Sequence, residues 1–259
     1  MRRRFAMLVW MATCLVAPVV QAAEVPAVLQ WSQRVELSTP VSGVVQAVNV
    51  AAGERVKKGQ LLLQLDDRVY AGREEEAAAA VARQQEEASE AQRDLQRVQE
   101  LYDRSVISTS ELDQAKLHQA RTAARLKEAR ARHKQAAKNR ADSVLRAPFD
   151  ALVVARLAEP GQAVAAGLQP QTLLVVAKAG EMMARAQISE GQIANLKVDQ
   201  EVNISVGTQH FRGKIKTLGL EPGAHDKSNA PLYALDVVFL PGGTVLRTGT
   251  QATLTLPLP

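Results

Sequence analysis

Few side chains in this 259-residue chain could do chemistry. The four histidines, His118, His133, His210 and His225, fall at none of the spacings that gather metal ligands, and the first two lie in a segment with helical periodicity, where they read as solvent-facing or seam positions. Met182-Met183 offers two thioethers of the soft kind that a copper-handling protein uses. At the start of a run that alternates like a strand, the same pair also reads as core. Asp66-Asp67 and Glu74-Glu75-Glu76 are clustered carboxylates, yet they stand where a helix begins, and negative charge is favourable there without any catalytic purpose. The single cysteine, Cys14, sits in an apolar N-terminal run; Met11 and Thr13 before it fit a lipid-attachment signal poorly. No glycine-rich phosphate loop or nucleophile elbow is present. These residues predict no catalytic, cofactor or metal site, and therefore no enzyme.

The elements come next, beginning with the leader. Arg2-Arg3-Arg4, an apolar run over residues 5–20 and the small pair Ala22-Ala23 form a secretory signal over residues 1–22, with cleavage expected after Ala22 or Ala23. The rival is an uncleaved anchor, against which the 16-residue run is short of the ~20 residues that span a bilayer. Export places the chain in the periplasm, associated with the inner membrane if the leader stays. The formal charge of +5 falls to +2 once the three leader arginines are gone, and aromatic residues make up 3% of the chain. Neither a basic surface nor a stacking platform is left, which excludes nucleic acid as a partner.

Residues 69–140 organise the rest. Ala77, Val81, Gln84, Ala88, Ala91, Leu95, Val98 and Tyr102 recur in steps of four and three, and Leu112, Ala115, Gln119, Thr122, Leu126, Ala129, His133 and Ala136 do the same beyond a break at residues 105–109. This predicts an antiparallel coiled-coil hairpin over residues 68–143. Residues 69–102 carry eight acidic and four basic side chains, residues 111–140 three acidic and nine basic, so opposite charge is expected to favour the pairing. An arm of about 35 residues reaches roughly 50 Å at ~1.5 Å per residue. The hairpin must project, and the molecule should be elongated.

Residues 40–65 alternate with a period of two, with turns expected at Gly43, Gly53 and Gly59, and in a later copy at Gly161 and Gly167. A shift of 108 places sets Pro40 on Pro148, Gly43 on Ala151, Val45 on Val153, Gly53 on Gly161, Val56 on Val164 and Gly59 on Gly167. Two half-motifs, 38–67 and 144–177, are thus separated by the hairpin. Neither half, at ~30 residues, buries a core alone, so they are expected to close on each other as one β-sandwich. Strands at 182–188, 200–206, 211–218, 232–239 and 250–256, with a short helix capped by Ser189, predict a small β-barrel over 178–259, completed by an early strand from 24–37.

The half-motifs "PVSGVVQAVNVAAGERVKKGQLLLQLDD" and "RAPFDALVVARLAEPGQAVAAG" resemble the two halves of a biotinyl/lipoyl-like domain. Their division by a coiled coil resembles the periplasmic adaptors of bacterial tripartite efflux systems, the membrane fusion proteins of the HlyD/RND-efflux adaptor family. The fold expected is α+β, elongated and modular: split lipoyl-like sandwich, inserted helical hairpin, β-barrel. The chain stops after the last barrel strand, so it is expected to be a short form lacking the family's membrane-proximal domain. The resemblance implies a homo-oligomer, trimer or hexamer, that links an inner-membrane transporter, with the proton-driven RND type favoured over an ATP-driven one, to a TolC-type outer-membrane channel for export of small molecules or ions. It also implies a docking site at the hairpin tip. Family members that meet such a channel carry an Arg, a Leu four residues on and a Ser seven beyond that, matched here by Arg97, Leu101 and Ser108 in "RVQELYDRSVISTSELDQA". Two other readings stand beside this one: a non-transport coiled-coil protein of the envelope, and a lipoyl or biotinyl carrier. In true carriers the modified lysine lies in the turn that is here replaced by the hairpin, and Lys57 and Lys58 fall in an earlier turn.

Overall fold

The computed structural model describes residues 22–167, 169–226, 228–244 and 246–257; the leader and Cys14 lie outside them. The described residues form two compact units, Gln33–Ala179 and, from both ends of the chain, the residues up to Ser32 with those from Gly180 onward.

The barrel unit begins on β1 (Ala22–Trp31). The chain then crosses into the other unit, whose strands are β2 (Arg34–Leu37), β3 (Gly43–Val48), β4 (Arg55–Val56), β5 (Leu61–Leu65), β6 (Val144–Arg146), β7 (Ala151–Arg156), β8 (Ala163–Val164) and β9 (Leu174–Lys178). They make two four-stranded sheets, ordered β2-β9-β7-β4 and β6-β5-β3-β8. Each sheet mixes strands from both sides of the hairpin, so the half-motifs are interleaved and not merely apposed. The 108-residue repeat appears as reciprocal hydrogen bonds. The Gly53 N–H donates to the Val153 carbonyl and the Gly161 N–H to the Val45 carbonyl, both at 2.8 Å. In return the Val45 N–H donates to the Gln162 carbonyl and the Val153 N–H to the Glu54 carbonyl. Gly53 and Gly161 hold φ of +88° and +87°, where a Cβ would be strained, so the turn that presents each N–H to the other half requires glycine. Fully buried Leu62, Leu63 and Leu65 from the first half pack with Val153, Leu173 and Leu174 from the second.

Two expected glycine turns are placed differently. Gly59 does turn, at φ +82°, but Gly43 opens β3, pairs with Val164 and lies where an added Cβ would sit 3.3 Å from Leu65 Cδ1. It is a close-packing position in a strand. Gly167 lies in a bend and has no left-handed φ. A further correction concerns residues 34–37. They were expected in the barrel, but β2 pairs with β9 and buries Leu37 in the sandwich core. The chain changes unit at Ser32–Gln33.

Between β5 and β6 run α1 (Arg68–Asp103) and α2 (Thr109–Asp142), about 54 and 51 Å long at ~1.5 Å per residue. Every seam residue of the two heptad series is buried or half-buried, with Ala91, Leu112, Thr122, Leu126 and Ala129 the most enclosed. At the base the Tyr70 hydroxyl donates to the Ser42 carbonyl at 2.5 Å and the Thr39 hydroxyl to the Asp142 carbonyl at 2.8 Å, tying both helices to the sandwich. The opposite charge expected to favour the pairing makes few direct contacts across the hairpin. Among the described residues one basic side chain of α2, Arg140, forms ion pairs with the first arm, at 3.0 Å to Asp67 and 3.1 Å to Glu74. Arg130 to Gln85 and Gln119 to Gln92 are the other staples. Asp67 stands at the N-cap without capping through its side chain, because its carboxylate serves Arg140.

In the barrel unit, β10 (Met182–Ser189), α3 (Glu190–Ile193), β11 (Glu201–Val206), β12 (Gln209–His225), β13 (Pro231–Phe239) and β14 (Gln251–Pro257) join β1 in a closed barrel ordered β1-β10-β13-β12-β11-β14. Alternate residues of β10 (Met182, Ala184, Ala186 and Ile188) point into a core with Leu29, Ile204, Ile215, Leu235 and Phe239. β12 and β13 cross closely at Gly213, where a Cβ would come within 2.8 Å of Val237 Cγ1. Ser189 opens α3 as expected, its N–H and hydroxyl both donating to Gln192 Oε1.

Candidate functional site at the hairpin tip

The helix-to-helix turn is closed by backbone and side-chain bonds at both ends. Arg104 ends α1, and Ser105 then takes the left-handed conformation at φ +59°. The Ser105 N–H donates to the Tyr102 carbonyl at 2.8 Å and the Val106 N–H to the Leu101 carbonyl at 3.0 Å, the paired bonds of a Schellman motif, with serine at the position glycine usually holds. Two residues on, Ser108 begins α2 as N-cap. Its hydroxyl oxygen accepts from the Glu111 N–H at 3.3 Å, and Glu111 Oε2 accepts from the Ser108 N–H at 2.8 Å and from its hydroxyl at 3.0 Å. This is a complete capping box. The Ser108 N–H, followed by its hydroxyl, holds the exposed Glu111 carboxyl below its usual range.

The three tip residues implied by the resemblance are thus placed by a defined turn. Arg97 is exposed on α1, its guanidinium paired with Asp94 one turn back. Leu101 is half-buried one turn nearer the tip and supplies the carbonyl that closes the Schellman motif. Ser108 lies across the turn, exposed and committed to the cap. Arg97 and Leu101 share a helical face, and the Arg97 side chain is 72% exposed beside Asp94. Reading spacing alone misses three neighbours. Val106 is 66% exposed at the apex, Asp94 pairs with Arg97, and Ile107 is half-buried in the turn. The Asp94-to-Arg97 spacing of three was the available signal for the second.

The other candidate chemistry is dispersed. His118 is exposed on α2, His133 lies half-buried in its seam, His210 bonds Ser205 at 2.9 Å and His225 ends β12. Among the described residues no three His, Cys, Asp or Glu side chains gather as a metal site. Met182 and Met183 are both buried, Met182 in the barrel core. Lys57 and Lys58 lie in the turn between β4 and β5, with the Lys58 N–H donating to Asp150, while β5 runs almost directly into α1. No helix of the described residues is long and apolar enough to cross a membrane.

Comparison with known proteins agrees with this layout. A family model described as a CzcB-like, barrel-sandwich hybrid domain matches residues 33–178, nearly the whole of the unit that carries sandwich and hairpin. The macrolide export protein MacA of Yersinia pestis is 28% identical over 208 residues, covering 72% of this chain and 55% of that protein. The chain therefore spans about half the length of the curated relatives it matches. Among solved structures, a MacA-MexA chimeric protein containing the Pseudomonas aeruginosa MexA α-hairpin domain superposes with a TM-score of 0.68 at 23% identity, covering 93% of this chain and 80% of the other. The membrane fusion protein Spr0693 of Streptococcus pneumoniae R6 superposes with a TM-score of 0.64 at 16% identity, covering 92% and 100%. These two likenesses concern the fold.

Proposed function

The chain belongs to the CzcB-like barrel-sandwich hybrid family, the periplasmic adaptors or membrane fusion proteins of efflux systems, and on that premise we propose that it couples an inner-membrane transporter to an outer-membrane channel. The channel is of TolC type and meets the hairpin tip through Arg97, Leu101 and Ser108. The transporter is of the proton-driven RND type, the cargo is a small molecule or ion, and the adaptor works as a homo-oligomer in the periplasm after export. The observation that supports channel docking is the tip itself: a charged and an apolar side chain on one helical face, beside a turn held by a Schellman motif and a capping box. A preorganised surface binds without first ordering a loop. The carrier reading loses its basis, because the position that would hold a modified lysine opens into α1.

Arg97→Asp and Leu101→Asp each change an exposed or half-buried side chain and should leave the protein folded and exported. Each is expected to abolish efflux in cells that depend on this pump and to remove cross-linking to the channel. Full transport by both variants at normal expression would remove the tip from the mechanism. The inner-membrane protein recovered by the same cross-linking identifies the transporter class, an ATP-driven pump being the outcome that overturns the RND assignment.

A further inference from the structure

The acidic first arm carries four basic side chains between residues 69 and 102, and two of them, Arg73 and Arg83, line one groove between the helices together with Arg125 and Arg132 of α2. The groove has a volume of about 410 Å³, and its four guanidiniums stand against two carboxylates, Glu76 and Glu128. Arg132 engages Glu128 at 2.5 Å, whereas Arg73, Arg83 and Arg125 make no hydrogen bond or ion pair among the described residues. Counting from the Gln85–Arg130 staple, Arg83 and Arg132 stand level on opposite walls. Like charges so placed repel, and an anion between them would engage both. Gln84 lines the same groove, and its Oε1 is the one buried side-chain polar atom without a hydrogen-bond partner among the described residues. A buried acceptor without a donor is costly, and the terminal torsion of a glutamine is soft enough to turn it toward a donor in the groove. Toward the sandwich the groove runs into a chiefly apolar pocket of about 210 Å³, lined by Tyr70, Arg73, Arg132, Gln135, Ala136 and Asn139. The Tyr70 hydroxyl is bonded to the Ser42 carbonyl, which leaves the ring as apolar wall.

We propose that this groove binds a small amphipathic organic anion. Its carboxylate or phosphate lies between Arg83 and Arg132, an N–H or O–H beside that group donates to Gln84 Oε1, and its apolar part runs over Ala136 to Tyr70. Each part of the site selects one part of the ligand. An inorganic anion would leave the apolar pocket empty, a neutral lipid would leave the guanidiniums unmatched, and a cation would be repelled by them. From Arg83 back to Arg73 the helix rises about 15 Å at ~1.5 Å per residue, which is the reach of a medium-length acyl chain with its head group. The guanidiniums are open to solvent on one side, so binding should weaken as salt is added. The site is read from the side walls of the hairpin and stands whether or not the tip meets a channel.

N-decanoylglycine carries all three features: a carboxylate, an amide N–H beside it and an apolar chain. Titrated by calorimetry into the full-length protein, below its micelle concentration, it should bind once per chain. Arg83→Gln and Arg132→Gln should each weaken it about tenfold, the loss of a charge-assisted contact. N-acetylglycine, which lacks the chain, and decanol, which lacks the charge, should bind more weakly by at least as much. Arg93→Gln, on the same arm but outside the groove, should leave the affinity unchanged. Gln84→Leu separates recognition from folding: it should raise the thermal midpoint of the free protein, because the unpartnered oxygen is gone, and still weaken binding. Absence of binding, equal affinity for decanol, or affinity indifferent to both groove arginines would overturn the site. Unchanged affinity in Gln84→Leu would overturn the part assigned to Gln84.

Discussion

Ser108 and Glu111 hold each other at the start of α2, and that pair makes the tip sensitive to acid. The Glu111 carboxyl is lowered by hydrogen bonds that exist only in the folded turn, so its contribution to the cap is complete above the ordinary glutamate value of 4.5 and is lost as the pH falls through the depressed one. Asp66, brought down to about 2 by Arg68, stays charged over most of the same range at the hairpin base. Amide exchange followed by NMR between pH 6 and 3 should therefore show the tip amides losing protection below about pH 4.5 while those beside Asp66 keep theirs. In Glu111→Gln the tip should lose that pH dependence; an unchanged profile would mean that the carboxylate does not hold the turn. Ser108→Ala removes the other half of the box and should cost about 1 kcal/mol of local stability. This pair was legible as a serine followed three places later by a glutamate. The left-handed Ser105 was not, because serine carries no signal for that conformation and glycine is the residue that announces it.

At the scale of elements, the interleaved sandwich explains how a chain can interrupt one domain with two long helices. The strands flanking the insertion end close together: the Leu65 N–H donates to the Ser143 carbonyl at 2.8 Å. A variant that joins Asp67 to Ser143 through a short Gly/Ser linker should fold to a β-rich protein with a cooperative thermal transition, read by circular dichroism. Loss of that fold would show that the helices contribute to the sandwich core, contrary to the clustering of Leu62, Leu63, Leu65, Val153, Leu173 and Leu174. The two half-motifs were readable because their repeat conserves turn glycines and alternating valines. That Arg34–Leu37 leaves the barrel was not, since residues on both sides of Ser32 alternate with the same period and only pairing with β9 decides the sheet. The seam was likewise legible from its heptads. Which charges meet across the hairpin was not legible, because charge summed along a helix says nothing of the face on which it sits.

For the whole molecule, the central claim is that the hairpin is the arm that meets an outer-membrane channel. Family membership covers the sandwich and hairpin as one matched span, residues 33–178, and the split-domain insertion is what a docking arm needs at its root. Sequence alone indicated the modules and their order. The tip's bonded turn required coordinates, because it depends on the left-handed backbone of Ser105 and on which carbonyls its neighbours bond. The most direct measurement places a photo-crosslinking amino acid at Val106, which is 66% exposed at the apex and stands outside the three residues assigned to docking. Irradiated in living cells, this variant is predicted to yield a covalent adduct with an outer-membrane channel protein, and the adduct should disappear when Leu101→Asp is added. Adducts confined to other partners, with transport intact, would contradict the account.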